Sequence, residues 1–341
     1  MLETLLLLTV LIASYAATGC LRMYALRYGL IDTPGPRHSH SRPTPHGGGL
    51  AIAGTFMIGM AALLITDVIP ADLFAALVGG GFAVATVGFW DDHRAASARL
   101  RIAVHLAAGG WALYWLRGLP PVPLGDIELE FGSIGLIIGT VGIAWLLNLY
   151  NFMDGIDGLA AAETITVVGT AGLMMIVSQA DQGLFALGVL AASTLGFLPW
   201  NWPPARIFMG DVGSGFLGFA LAIIALHAAH AGAVNVWAWI ILLGAFIVDA
   251  TVTLIRRMVR GDRWYEPHRS HAYQHAAVRL RSHRLVTCSV AAINLLWLAP
   301  LAWLVNNHPE YGLVGTCVAL LPLLILALKL NAGQAAQDAC A

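Results

Sequence analysis

Four polar residues spaced three apart carry the clearest chemical signal in this sequence. They are Asn148, Asn151, Asp154 and Asp157, and Gly155 and Gly158 directly follow the two aspartates. On a helix, residues three apart lie on the same side, and a glycine lets the backbone approach a ligand closely. A helix cap or tight turn explains one Asp-Gly pair but not four polar residues in register. Such oxygen ligands suit a hard cation such as Mg²⁺ rather than zinc.

A second group is the run Phe208-Met209-Gly210-Asp211-Val212-Gly213-Ser214, which precedes an apolar stretch. A Gly-rich turn leading into a helix N-terminus can bind an anion, and an aspartate there can hold a metal beside a phosphate. The alternative is an ordinary helix cap, because Asp and Ser are both preferred at N-caps. Phe208 suits either a membrane anchor or a surface on which a base stacks.

Two adjacent carboxylates, Asp91 and Asp92, end an apolar stretch, and Arg99 and Arg101 follow them. Adjacent helical residues point about 100° apart, so we expect the carboxylates to have different partners. One would be a base or metal ligand, and the other would bind a helix end or an arginine. The arginines suit phosphate oxygens. A solvated pair beside arginines that reach the lipid headgroups is the alternative.

The longest basic segment, residues 256–285, combines arginines with His268, His271 and His275. The histidine spacing is compatible with a zinc site, but the many arginines, Arg269 among them, favour binding of a polyanion. Contact with anionic lipid is the alternative.

These groups are set in a very apolar chain. Of its 341 residues, 58% are hydrophobic and 11% are charged, and the mean hydropathy is +0.76. An ordinary soluble domain has about 25% charged residues. The composition excludes a soluble globular protein, a disordered chain and a nucleic-acid binder. It predicts an all-α polytopic membrane protein with a single domain over residues 1–341.

Eleven apolar stretches have about the length that crosses a hydrocarbon core of ~30 Å. They cover residues 2–21, 47–66, 71–90, 102–116, 133–151, 158–178, 183–199, 212–230, 235–255, 286–306 and 312–330. Between two of them, the alternation of polar and apolar residues over 126–131 suggests a small hairpin.

The basic residues assign the loops to two sides. One set of loops and span ends holds 17 of the 18 Lys and Arg residues, and the other set holds only Arg117. The positive-inside rule makes the first set cytoplasmic, with the N-terminus outside and the C-terminus inside. All four polar groups then lie at the cytoplasmic face. Carboxylates inside a bilayer cost about 2.5–3.5 kcal/mol on insertion scales, which makes them functional candidates.

The residues therefore predict an enzyme that handles a diphosphate at the membrane surface. Asp and Asn oxygens would bind Mg²⁺, and Arg and His would bind phosphates. This chemistry belongs to a phosphoryl or phosphosugar transferase with one soluble and one membrane-held substrate. The alternative is a membrane transporter of an anionic substrate, which would show charges near the bilayer midplane and repeated halves.

The same motifs resemble the polyprenyl-phosphate N-acetylhexosamine-1-phosphate transferases. The likeness runs from Asp32-Thr33-Pro34 and His46-Gly47-Gly48-Gly49 to the His-rich loop. It implies a UDP-N-acetylamino sugar and undecaprenyl phosphate as substrates, and undecaprenyl-diphospho-sugar and UMP as products. It also implies Mg²⁺, with Mn²⁺ as a substitute, and a bacterial inner membrane with the site on the cytoplasmic face. Membrane lipid is a further partner, nucleic acid is not, and a homodimer is compatible with this interpretation.

The resemblance also assigns residues. It implies catalytic roles for Asp91, Asp92 and Arg101, and Mg²⁺ binding by Asn151 and Asp211. The implied substrate-binding residues are Asn148, Asp154, Gly155, Asp157, Phe208, His268, Arg269 and His271, with Gly155, Asp157 and Phe208 near the uracil.

Three departures from the family pattern stand out. Ala95 replaces a third acidic residue, Arg101 replaces a lysine, and His105 replaces a glutamine. The loop His268-Arg269-Ser270-His271 also differs from that of the peptidoglycan enzymes. The sequence is most similar to the branch that initiates O-antigen, for which FucNAc, QuiNAc and GlcNAc are all candidate sugars.

Overall fold

The structure, a computed structural model, describes residues 2–35, 42–180, 183–262 and 268–334. Within these ranges the fold is mostly helical. The helices are α1 (Leu2–Tyr28), α2 (Gly49–Ile65), α3 (Ala71–Phe74), α4 (Gly80–His93), α5 (Ala98–Leu116), α6 (Gly132–Met153), α7 (Leu159–Val177), α8 (Leu184–Asn201), α9 (Gly210–His230), α10 (Val236–Leu242), α11 (Gly244–Val259), α12 (Ala272–Leu280), α13 (His283–Ile293), α14 (Ala299–Asn307) and α15 (Gly312–Lys329). Two π-helical turns, Ala75–Gly79 and Asn294–Leu298, join α3 to α4 and α13 to α14, and a 3₁₀ turn, Pro309–Tyr311, precedes α15.

Each of the eleven predicted apolar stretches coincides with one helix or one run of helices. Among the described residues, eight helical segments are long and apolar enough to cross a membrane, and one bent pair, α10 with α11, brings the number to nine. The helices α2 and α5 coincide with the other two predicted stretches, and α2 is shorter, with 17 residues. The protein is therefore a multi-pass, mostly α-helical membrane protein.

One predicted stretch, 235–255, is not straight. The chain bends by 74° between α10 and α11. The second helix begins at Gly244, where an added Cβ would overlap the Leu320 side chain of α15. The bend therefore coincides with a close approach between neighbouring helices.

Four short strands form two antiparallel pairs. The strand β1 (Ile31–Asp32) pairs with β2 (Thr44–Pro45), and β3 (Val122–Leu124) pairs with β4 (Ile127–Leu129). The second pair confirms the predicted hairpin, although it begins a few residues earlier than the alternation suggested.

The helix α9 lies at the centre of the bundle. It packs against α2, α4 and α6, and most of its side chains are fully buried. Close approach requires glycine at Gly88 of α4, where a Cβ would lie 2.7 Å from the Val212 backbone nitrogen at the start of α9. The first turn of α9 is thereby fixed against the end of α4.

A turn separates α6 from α7 at the polar run identified in the sequence. Asp154 directly follows the last residue of α6, and Gly158 precedes α7 with φ of +74°, a conformation that favours glycine. The Gly158 amide donates to Asn201 Oδ1 at 2.9 Å, which joins this turn to the end of α8. Only Asn148 and Asn151 of the four regularly spaced residues are therefore on a helix.

Many large apolar side chains face outward. Ile65 is 81% exposed, Leu296 78% and Phe82 65%. Such a surface is unfavourable in water and expected in lipid, where apolar side chains face the acyl chains.

Candidate active site

A cavity of about 440 Å³ opens where α6, α8 and α9 meet their connecting loops. It brings together seven of the residues singled out in the sequence: Asp92, Asn151, Asp154, Gly155, Asp157, Phe208 and Asp211. These residues are up to 119 positions apart in the chain, so the fold assembles them.

Asp211 and Asn151 form the centre of this cavity. The Asn151 amide nitrogen donates to Asp211 Oδ1 at 2.8 Å and to Ser214 Oγ at 3.1 Å. The two residues predicted to bind a metal are thus in direct contact, with a hydroxyl beside them. Carboxylate, amide and hydroxyl oxygens are the donor types that Mg²⁺ takes in proteins.

Asp92 caps the first turn of α9. Its carboxylate accepts from the Asp211 amide at 2.9 Å and from the Val212 amide at 3.3 Å. A carboxylate of the protein thus occupies two of the amides at this helix N-terminus, and these two are not available to a phosphate. The alternative of a cap by Asp211 or Ser214 is wrong, because the cap comes from α4.

Asp91 has a different set of partners, as the helical spacing predicted. Its Oδ1 accepts from the Ala96 amide at 2.6 Å, and its Oδ2 is paired with the Arg101 guanidinium. Arg101 also lies 3.7 Å from Asp211 Oδ2. The guanidinium therefore bridges the Asp91 and Asp211 carboxylates.

Acidic residues crowd the cavity. Asp92, Asp154, Asp157 and Asp211 all line it. Burial raises the pKa of the Asp154 carboxyl well above its ordinary value, and the neighbouring negative charges, Asp211 first, raise it further. A bound cation would offset this repulsion, so the electrostatics of the cavity fit a divalent metal.

Asp157 is already held by protein groups. Its Oδ1 lies 3.2 Å from His283 Nδ1, and its Oδ2 accepts from the Ala205 amide at 3.0 Å. Its carbonyl oxygen accepts from Thr287 Oγ1 at 2.9 Å. The residue therefore ties the turn before α7 to α13, whatever contact it makes with a substrate.

A second, narrower pocket of about 60 Å³ lies between α4, α5, α6 and α9. It shares Asn151 and Asp211 with the main cavity and adds Arg101. Asn148 lines this pocket rather than the main cavity, and its amide nitrogen is 3.2 Å from His105 Nδ1. Most of the other lining side chains are apolar, including Val84, Val87, Ile102 and Leu147.

The basic segment 256–285 reaches the cavity wall through Gln274 and His283, but not through the three residues predicted to bind substrate. His268, Arg269 and His271 line neither of these two pockets. His271 is 2% exposed and stacks with His268 at a ring distance of 5.0 Å. Burial, followed by the charges of nearby His271 and Arg257, lowers the pKa of His268 to about 3, so its ring is neutral at physiological pH.

A zinc site at the three histidines is not supported. His275 Nε2 contacts the Gln334 carbonyl oxygen at 3.2 Å, and His271 Nδ1 faces Asp249 at 3.3 Å. Among the residues that the structure describes, no group of three His, Cys, Asp or Glu side chains is arranged to hold a metal. The predicted Mg²⁺ site is of a different kind, because it relies on one carboxylate, one amide oxygen and substrate oxygens.

Comparison with known proteins identifies the family. The sequence model described as Glycosyl transferase family 4 matches residues 73–229. A probable undecaprenyl-phosphate N-acetylglucosaminyl 1-phosphate transferase of Bacillus subtilis is 30% identical over 297 residues, which are 85% of this chain and 80% of that protein. The chain belongs to the polyprenyl-phosphate N-acetylhexosamine-1-phosphate transferase superfamily.

Other members of this superfamily are also similar. A decaprenyl-phosphate N-acetylglucosaminephosphotransferase of Mycobacterium tuberculosis is 28% identical over 357 aligned positions, covering 94% of this chain and 86% of that protein. A phospho-N-acetylmuramoyl-pentapeptide-transferase of Acaryochloris marina is 32% identical over 244 residues, covering 65% of this chain and 62% of that protein. The matched family region of this transferase contains Asp91, Asp92, Arg101, Asn151 and Asp211, and it ends before the basic loop.

Several cavity residues of the transferase were not predicted as site residues. They are Asp32, Thr33, His46, Asn201, Ser214, Gln274 and His283. The motifs Asp32-Thr33-Pro34 and His46-Gly47 contributed to the resemblance, and that signal was sufficient to select them. Gln274 and His283 lie in the basic segment 256–285 that was predicted to bind a polyanion, but the choice of its arginines and other histidines passed over them.

Asp249 is another residue that the sequence analysis missed. It is 6% exposed, and its carboxylate accepts from the Ala272 and Tyr273 amides, both at 2.9 Å. It therefore caps α12 and attaches the start of that helix to α11. The rule that a carboxylate within a predicted span is a functional candidate would have selected it.

Proposed function

We propose that this protein transfers an N-acetylamino-sugar 1-phosphate from a UDP-sugar to undecaprenyl phosphate, giving undecaprenyl-diphospho-sugar and UMP. The observation that carries the proposal is the contact between the two pockets at Asn151 and Asp211. The larger pocket is polar and suits a water-soluble donor. The smaller one is mostly apolar, contains Arg101, and suits the phosphate end of a lipid acceptor.

Family membership and the relatives' names support this reaction class. The Bacillus subtilis relative is named for an undecaprenyl acceptor and an N-acetylglucosaminyl group, and the mycobacterial relative for a decaprenyl acceptor. We therefore favour GlcNAc among the three candidate sugars, with FucNAc and QuiNAc as the other two. The proposed pathway role is initiation of an O-antigen or another cell-envelope polysaccharide.

The proposed cofactor is Mg²⁺, with Mn²⁺ as a substitute, held by Asp211 and Asn151. The contact between these two residues and the crowding of carboxylates around them support the assignment. When bound, the metal would neutralise charge on the donor diphosphate and on the departing UMP.

The chain's own residues would do the rest. The lipid phosphate is already a competent nucleophile, so the protein mainly has to position it and stabilise charge. Arg101, held by Asp91, would bind the lipid phosphate. Asp91 would accept the proton that remains on this phosphate. The family resemblance assigns Arg269 to the donor diphosphate, although its side chain lines neither pocket.

We further propose eleven transmembrane spans, a single domain, and a site on the cytoplasmic face of the bacterial inner membrane. The supports are the match between helices and apolar stretches and the distribution of basic residues. The structure contains one chain, so a homodimer is left to a measurement of mass in detergent.

The decisive experiment uses purified protein with undecaprenyl phosphate, Mg²⁺ and a panel of UDP-sugars. We expect UMP and lipid-linked sugar to form in equal amounts, fastest with UDP-GlcNAc, and EDTA to stop the reaction. UMP formation that resists EDTA would contradict the metal assignment. Uptake of the UDP-sugar into proteoliposomes without UMP formation would favour the transporter.

A further inference from the structure

One buried tyrosine connects the basic loop with the turn that carries the cavity's central residues. Tyr273 is 4% exposed and lies in the first turn of α12. Its hydroxyl donates to the Phe152 carbonyl oxygen at 3.0 Å. The same hydroxyl lies against Gly155, where an added Cβ would overlap it. Burial raises the pKa of this hydroxyl well above its ordinary value, so it keeps the proton that it donates.

The two contacts of the hydroxyl fall on either side of Asp154. Phe152 follows Asn151, and Gly155 follows Asp154, so the tyrosine touches the backbone next to both cavity residues. The Phe152 carbonyl belongs to the last turn of α6, whose carbonyl groups have no partner within the helix. The tyrosine supplies the missing donor at this position.

The tyrosine is itself fixed from the other side. Asp249 of α11 accepts its backbone amide at 2.9 Å, and the next residue, Gln274, lines the cavity. A chain of contacts therefore runs from α11 through the start of α12 to the end of α6.

We propose that Tyr273 is a positioning residue that sets the turn from Asn151 to Gly155 and couples the basic loop to the donor site. This inference rests on the proposed function for its catalytic consequence. In this arrangement residue 155 has to be a glycine, because a side chain there would overlap the tyrosine hydroxyl.

The test compares four proteins: wild type, Tyr273→Phe, Gly155→Ala and the double variant. Tyr273→Phe removes one oxygen, leaves the Phe152 carbonyl without its donor, and is expected to lower kcat about tenfold with little change in the KM for UDP-sugar. Gly155→Ala is expected to lower kcat by about 10²-fold, because its methyl group meets the hydroxyl. The double variant should recover most of the loss caused by Gly155→Ala, since it removes the hydroxyl that the methyl overlaps. The next atoms, the Gln274 side-chain nitrogen at 3.0 Å and a Tyr273 ring carbon at 3.2 Å, need to shift only slightly.

Two substitutions in α6 serve as matched controls. Tyr150→Phe also removes a buried hydroxyl, which lies 3.4 Å from Thr164 Oγ1 and away from the cavity. Gly142→Ala adds a methyl group that would meet nothing within 4 Å. Both controls are expected to keep kcat within about twofold of wild type.

The melting temperatures of the unliganded proteins test the contact without any need for activity. Gly155→Ala should lower the melting temperature, and adding Tyr273→Phe should restore it. Additive losses in the double variant, in both kcat and melting temperature, would overturn the inference. A tyrosine with a purely structural role would change the melting temperature and leave the kcat of the folded protein unchanged, which would also overturn it. A wild type that forms no UMP but shows the restored melting temperature would instead contradict the proposed function alone.

Discussion

At the scale of single residues, Asp211 connects three of the other predicted site residues. One carboxylate oxygen accepts from Asn151, the other lies 3.7 Å from Arg101, and its backbone amide is capped by Asp92. Its side chain lines both pockets. A residue in this position can hold a metal between a donor and an acceptor, and it can do so only with an anionic oxygen of high affinity.

We therefore expect Asp211→Asn to lower UMP formation by about 10²-fold or more, because an amide oxygen is a much weaker ligand for Mg²⁺. The variant should insert and fold normally, because asparagine has nearly the same shape. Rates measured over a range of Mg²⁺ concentrations test this expectation. Asp126→Asn, the same change in the exposed hairpin turn, is the control. Wild-type activity of Asp211→Asn at saturating Mg²⁺ would remove Asp211 from the metal site.

Asp91 has two separable roles in the proposal. It holds Arg101, and it accepts a proton from the lipid phosphate. The second phosphate pKa is near 6, so a proton has to be removed mainly under acidic conditions, and the dianion dominates at alkaline pH.

Asp91→Asn should consequently be most defective at low pH. We expect a loss of about 10²-fold near pH 5.5 that shrinks to about tenfold or less above pH 8. Profiles of kcat/KM against pH for wild type and variant measure this difference, and Arg101→Lys, which keeps the positive charge, should show a loss that is flat with pH. An equal loss for Asp91→Asn at every pH would assign Asp91 to positioning Arg101 alone.

At the scale of helices, the site depends on how closely α4 and α9 approach. Gly88 faces backbone atoms of Asp211 and Val212, all within 2.8 Å of the place where a Cβ would be. Backbone atoms cannot turn away as a side-chain end can, so any larger residue must push the two helices apart. That movement would separate Asp92 from the amides that it caps.

Gly88→Ala is accordingly expected to destabilise the protein by about 1–3 kcal/mol and to reduce activity. Thermal unfolding in detergent and UMP formation are the two measurements. Gly54→Ala in α2, where a Cβ would meet nothing within 4 Å, should be neutral or stabilising by up to about 1 kcal/mol. If the two variants melt alike, the close approach of α4 and α9 is not required.

The sequence was most informative about which segments are helical. Apolar stretches of about 20 residues have one stable backbone conformation in a bilayer, so their positions could be predicted. The bend between α10 and α11 could not be predicted, because it coincides with a close approach to α15, a helix distant in the sequence. The apolar stretch 133–151 predicted the end of α6 to within two residues, whereas the helical register suggested for all four polar residues does not extend to Asp154, which lies after the helix.

Site residues divided in a similar way. Oxygen-bearing side chains in short motifs, such as Asn151 and Asp211, were found because their types and spacing are unusual in an apolar chain. Other contacts join distant parts of the chain and cannot be found from spacing. Asp92 of α4 caps the start of α9, and His271 contacts Asp249 of α11. The basic loop was predicted to contact substrate through His268 and His271, yet neither lines the cavity, and His271 is buried against Asp249 of α11.

At the scale of the whole molecule, the polar cavity lies at one end of a bundle whose sides are apolar. The cavity is lined from β1, from the end of α6 and from the start of α9. The hairpin of β3 and β4 follows α5 and precedes α6, so it lies at the opposite end. The two pockets therefore lie at the same end of the bundle, opposite the hairpin.

The distribution of charge determines which face that is. In the sequence, 17 of the 18 Lys and Arg residues fall in the loops and span ends assigned to one side and only Arg117 falls on the other, so the positive-inside rule predicts a cytoplasmic cavity. Reactive cysteines can test this orientation in a protein whose four native cysteines, Cys20, Cys288, Cys317 and Cys340, are replaced by serine.

In that background, Asp126→Cys in the hairpin turn should react with a maleimide that cannot cross the inner membrane. The reagent is added to cells whose outer membrane has been made permeable and whose inner membrane is intact. Asp262→Cys, which follows α11 at the cavity end, should react at least about tenfold more slowly until the membrane is permeabilised, because the bilayer separates it from the reagent. Equal labelling of both variants after permeabilisation is the control for accessibility within the fold. The reverse pattern would place the cavity outside the cell, and it would contradict both the orientation and the supply of a cytoplasmic UDP-sugar to this site.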